Sequence, residues 1–237
     1  MKLRIDKAAN PNELLSKLQL VDIAVPGRAK GRKSHHTERW TICRLLATLA
    51  DTTRLRFPVS VVHQDRPDAL IQADSMMIGV EISEAITPQY AEYCALAERE
   101  FPGKWLEPAH FRWGAPSLTV KEMRALLQQD RLTSDGWAGN TPEQEWAHFI
   151  LSLVETKLEK LSKDGFERFD QNWLAIYDNL PLPNIYLERA IDLLRPMLER
   201  QWQKMPGFDA LFVEHGPVIA EITATGSIHL ILNDLWN

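Results

Sequence analysis

The chain has 237 residues, 45% hydrophobic and 25% charged, as expected of one large globular domain or a domain carrying an insertion. No run approaches the roughly 18 apolar residues of a membrane span, and the opening MKLRIDKAANPNELL has no apolar signal segment, so a cytoplasmic protein without a membrane partner is expected. Cys43 and Cys94 lack metal-ligand spacing, which points away from a disulfide framework or zinc site; the net charge of −5 argues against a general nucleic-acid coat but permits a local basic surface.

Asn10, Pro11 and Glu13 supply an N-cap, a first-turn proline and an acid three residues after the cap, predicting a short helix to about Leu20. The chain then turns basic, with Arg28, Lys30, Arg32 and Lys33 in a stretch that reads as a mobile loop, either a solvated linker or an arm contacting phosphates. A helix is predicted over 37–50, where Ile42, Leu45, Leu46 and Leu49 form an apolar stripe. Glu38 falls on that stripe in the first turn; it either complements the helix N-terminus or aims at a functional centre.

A strand over Phe57–His63 precedes the most informative stretch, Arg66–Ile86. Two short apolar runs, Ala69–Ile71 and Met76–Ile82, predict paired strands. With period-2 alternation, Ile78, Val80 and Ile82 share one face while Gly79, Glu81 and Ser83 share the other. Glu81 therefore places a carboxylate inside a sheet, where it needs a charged or hydrogen-bonding partner or a cation. Asp68 lies nearby on the preceding strand, and a divalent metal accounts for both acids.

A helix over Gln89–Glu100 is followed by residues 101–140, read as an insertion with one helix over Thr119–Arg131 and aromatics among Pro and Gly. Those aromatics form a small satellite core or, beside Lys104, His110 and Arg112, a base-stacking surface. The next helix, Thr141 to about Lys163, carries Trp146, Phe149, Ile150, Leu153, Val154 and Leu161 on one side. Lys157 falls in the middle of that apolar side, with Lys160 near its edge, so Lys157 either snorkels outward or meets a negative site. A buried strand over Asn172–Asp178 comes next. Asn184 is expected to cap a helix that ends or kinks at Pro196, followed by a strand over Ala210–Glu214 and a hairpin of Val218–Ile222 with Ser227–Leu232. His63, His215 and His229 have no metal-ligand spacing and read as structural. No G-x-S-x-G, P-loop or G-x-G-x-x-G stretch is present.

Pro67-Asp68 followed by Glu81-Ile82-Ser83 after an Ile-Gly-Val lead-in resembles the PD-(D/E)XK, or restriction-endonuclease-like, nuclease superfamily. The pattern calls for Lys where this chain has Ser83; some branches carry that lysine on a later helix, which makes Lys157, and Lys160 after it, the candidates. The resemblance implies an α/β fold, a mixed central sheet flanked by helices with a helical and aromatic insertion. It divides the chain into an N-terminal helix and basic loop (1–36) and a nuclease-like domain (37–237, insertion 101–140). It also implies metal-dependent cleavage of nucleic acid, DNA in the first instance. Asp68, Glu81, the Ile82 carbonyl and Glu38 would hold Mg²⁺ or Mn²⁺. Asp68, Glu81, Lys157 and Lys160 would be catalytic, with Glu84 a weaker candidate because it points to the opposite sheet face. Arg28, Lys30, Arg32 and Lys33 would contact the nucleic acid, and a homodimer would suit double-strand cutting. Ser83 also leaves open a catalytically inactive module of the same fold that binds nucleic acid or protein.

Overall fold

The computed structural model describes residues 3–129, 131, 133–163, 167–204 and 207–236. Among them, eight strands form one mixed sheet whose spatial order follows the chain. Strands β1 (Arg4–Ala8), β2 (Val59–His63), β3 (Ala69–Ala73) and β4 (Met76–Ala85) are antiparallel neighbours. Strand β5 (Gln171–Asp178) runs parallel to β4, and β6 (Ala210–His215) parallel to β5. Strands β7 (Val218–Thr223) and β8 (Gly226–Ile231) add an antiparallel meander. The helices are α1 (Pro11–Gln19), α2 (Ser34–Leu49), α3 (Pro88–Glu100), α4 (Val120–Gln128), α5 (Thr141–Leu161) and α6 (Leu187–Lys204). No helix among the described residues is long and apolar enough to cross a membrane.

Alternation along the central strands divides the core into two layers. Ile78, Val80 and Ile82 of β4 join Trp173 and Ala175 of β5 beneath α1 and α2. Leu174 and Ile176 of β5, with Leu211 and Val213 of β6, pack instead against Trp146, Ile150, Val154 and Leu158 of α5 and against α6. Glu81 is registered beside Leu174, so its side chain belongs to the α5 layer. A third cluster, Tyr93, Leu96, Phe111, Met123 and Leu127, joins α3 to the 101–140 segment as a satellite core.

The N-terminal segment is part of the sheet: β1 pairs with β2, and Leu14 and Leu18 of α1 lie in the same core layer as β4. No strand is expected there from sequence, because a register shift between Ile5 and Ala8 breaks the two-residue alternation. Helix α6 starts at Leu187, beyond Asn184, and continues through Pro196 to Lys204. Its packed apolar face, with Ala190, Ile191, Leu194 and Leu198 buried, outweighs the hydrogen bond that proline removes. Helix α5 begins at Thr141, as expected, and is entered from Asn140.

The basic stretch has a folded conformation tied to the sheet through Arg28 and Arg32. Residues 28–30 form a 3₁₀ turn, Gly31 adopts a left-handed conformation (φ +80°), and α2 begins at Ser34 instead of Thr37.

Candidate active site

The register between β3 and β4 pairs Ala69 with Val80, which brings Asp68, just before β3, opposite Glu81. Asp68 Oδ2 accepts the Ile82 backbone N–H at 2.7 Å, closing the end of β3 onto the middle of β4. Glu81 is 7% exposed, beneath α5. Its partner is Lys157: the ammonium donates to Glu81 Oε2 at 3.0 Å and to the Ile82 carbonyl at 2.9 Å, and lies 3.6 Å from Asp68 Oδ2. Lys157 therefore points inward and does not snorkel. The helix face predicted from periodicity delivers it between Val154 and Leu158, both buried.

The electrostatics are those of two acids sharing one cation under low solvation. Burial pushes the Asp68 carboxyl up to about 6; Lys157 opposes this, the Glu81 charge adds to it, the Ile82 N–H opposes it, and Glu38 adds a smaller rise. Glu38, in the second turn of α2, faces inward but is bonded to His63 Nε2 at 2.8 Å. Burial works to raise its carboxyl, yet His63, a hydrogen bond from Ser34 and the nearby Lys157 hold it below the usual range. Among the described residues no three His, Cys, Asp or Glu side chains converge as a metal group. Glu38 thus stands beside the Asp68–Glu81 pair and not in it.

Two carboxylates and a backbone carbonyl still suit Mg²⁺ or Mn²⁺. Mg²⁺ commonly takes one or two carboxylates and completes its shell with water and substrate phosphate. In this structure the Lys157 ammonium lies among the oxygens of Glu81, Ile82 and Asp68.

The remaining candidates are separated from this centre. Lys160 is exposed one turn further along α5 and lines a cavity of about 440 Å³ that Lys157 also borders. Glu84 points to the opposite face, where Oε1 binds Arg28, Arg32 at 2.9 Å and Asn179 at 2.7 Å. Arg28 and Arg32 are thereby held on the protein, while Lys30 and Lys33 remain exposed. His63 is a residue the sequence reading sets aside as structural. Period-2 alternation with Val59 and Val61 places it on the buried face of β2, and with Glu38, Asp65 and Asp68 it lines a second cavity of about 560 Å³. Trp113, from the 101–140 segment, reaches the cavity beside Lys157 and Lys160.

Comparison of the chain with known protein families, curated proteins and solved structures finds no match.

Proposed function

We propose that this protein is a metal-dependent nuclease that hydrolyses phosphodiester bonds of nucleic acid, DNA in the first instance. The observation carrying the reading is the meeting of Lys157 with Glu81 and Ile82, beside Asp68. A PD-(D/E)XK site needs a lysine beside two acids, and the chain has serine at the motif position. The run of α2, then the antiparallel β2, β3 and β4, then α5 and the parallel β5 is consistent with the restriction-endonuclease-like core that the motif implies.

Asp68, Glu81 and the Ile82 carbonyl would hold Mg²⁺ or Mn²⁺. When bound, the metal supplies polarisation of the phosphate and a water of lowered pKa. Lys157 contributes a fixed positive charge that favours the extra negative charge of the pentavalent transition state. Burial keeps these charges strong by limiting screening. Lys30 and Lys33 are the phosphate contacts the basic segment can offer, and a homodimer would supply the second site for cutting both strands. The test is cleavage of supercoiled plasmid with Mg²⁺ or Mn²⁺. Wild type cuts, whereas folded Asp68→Ala and Glu81→Ala do not; equal cutting by either variant contradicts the assignment.

A second reading, a catalytically inactive module that binds nucleic acid or protein, is favoured by Ser83 and by the absence, among the described residues, of a third carboxylate in the cluster. A thermal melt separates the two: a metal site raises the melting temperature by an amount that grows with the logarithm of metal concentration above Kd, and an inactive module shows no Mg²⁺ or Mn²⁺ effect.

A further inference from the structure

The cavity beside Lys157 has a chemistry that the hydrolytic centre alone does not require. It encloses about 440 Å³ and combines Lys157 and Lys160 with the hydroxyls of Ser152 and Thr156 and the rings of Trp113 and Phe149. The acid on its wall, Glu84, is already paired with Arg28 and Arg32. Lys157 is likewise paired with Glu81, so Lys160 is the lysine left to meet an anion, and the cavity's volume suits a group of nucleoside size.

Trp113 is placed there by a specific anchor. Glu145 of α5, itself buried, accepts the Trp113 backbone N–H at 3.2 Å, Arg112 Nε at 2.8 Å and Trp137 Nε1 at 3.2 Å. The Trp113 ring stacks near His148 (centroids 5.6 Å apart, 18° between planes) and makes a T-shaped contact with the Phe149 ring (centroids 4.8 Å apart, 90° between planes). It nevertheless remains 42% exposed. A large ring whose backbone is tied to a buried carboxylate and whose sides meet His148 and Phe149, yet which stays part-exposed on this cavity, is arranged to receive a flat partner.

Resting on the nuclease reading, we infer that this cavity is a subsite for one unpaired nucleotide next to the scissile phosphate. The base lies against Trp113, and the flanking phosphate is met by Lys160. Stacking is tolerant of base identity because every base presents a π-face. A base held in a duplex cannot enter, so the preferred substrate is single-stranded nucleic acid or a strand with an unpaired nucleotide at the cut.

The test measures anisotropy of a fluorescein-labelled single-stranded DNA and its matched duplex with the full chain, in EDTA and in Mn²⁺, alongside plasmid cleavage. Wild type favours the single strand. Trp113→Ala weakens single-strand binding by about tenfold while changing duplex binding by less than about twofold, and Trp113→Tyr restores it. Lys160→Ala weakens the single strand with the melting temperature unchanged. Equal affinity for the two forms, or single-strand binding unaffected by Trp113→Ala, overturns the subsite even where Glu81-dependent cleavage stands. Absence of both nucleic-acid binding and cleavage overturns the subsite together with the nuclease reading.

Discussion

Lys157 Nζ lies 3.0 Å from Glu81 Oε2, joining the C-terminal part of α5 to the middle of β4 across 76 residues of chain. Glu81 is a buried strand residue, so the pair is structural as well as chemical. Removing one partner leaves a buried charge without compensation, a loss of about 3 kcal/mol. Urea unfolding at pH 7 should show that loss for Lys157→Met. The double variant Glu81→Gln/Lys157→Met should regain part of it; strictly additive losses would contradict the coupling.

Asp68 predicts the opposite sign for stability. Its carboxyl is raised from the ordinary 3.8 to about 6, so the folded protein holds a proton that the unfolded chain releases. Its favourable contribution is full below about pH 4 and is lost as pH rises through 6. Asp68→Asn should therefore be more stable than wild type at pH 7, by on the order of 2 kcal/mol, with the difference closing toward pH 4. Denaturation across that range measures it. The same proton opposes a cation, so Mn²⁺ binding should weaken as pH falls below 6.

Gly79 sits two residues before Glu81 on the same face, and a Cβ built there would lie 2.4 Å from the Phe169 ring. Gly79→Ala should destabilise by about 1–3 kcal/mol. Phe169→Ala, which opens that space, should reduce the penalty in a double-mutant cycle.

Glu84 holds Arg28 and Arg32 against the sheet. In Glu84→Ala both arginines lose their shared partner, and limited trypsin digestion should cut sooner within 28–33 than it does in wild type. An unchanged digestion pattern would mean that the turn is held by other contacts.

What could be read from the sequence follows from how local each signal is. Alternation in β4 placed Glu81 apart from Val80 and Ile82, and helical spacing put Lys157 on the apolar face of α5; both needed only neighbouring residues. Asn10 was legible as a cap for the same reason, and its side chain accepts the Glu13 N–H at 3.0 Å. The basic segment misleads because the acid that orders it, Glu84, lies 52 residues beyond Arg32. Glu38 faces inward as its helix stripe requires, but its bond to His63 depends on how α2 crosses β2, which no local pattern encodes. Strand β1 was missed because it has two buried residues and a bulge. Helix α6 runs on through Pro196 because tertiary burial of its apolar face overrides local propensity.

The most direct measurement is cleavage of supercoiled plasmid, single-stranded DNA and RNA in Mg²⁺ or Mn²⁺ by wild type, Glu81→Ala and Lys157→Ala, each first confirmed folded. The account predicts cutting by wild type, abolished by EDTA, and loss of cutting in both variants. Normal cleavage by Lys157→Ala would contradict the assignment of the missing motif lysine to α5. Absence of cleavage by wild type, with no metal-dependent rise in melting temperature, would contradict the nuclease itself.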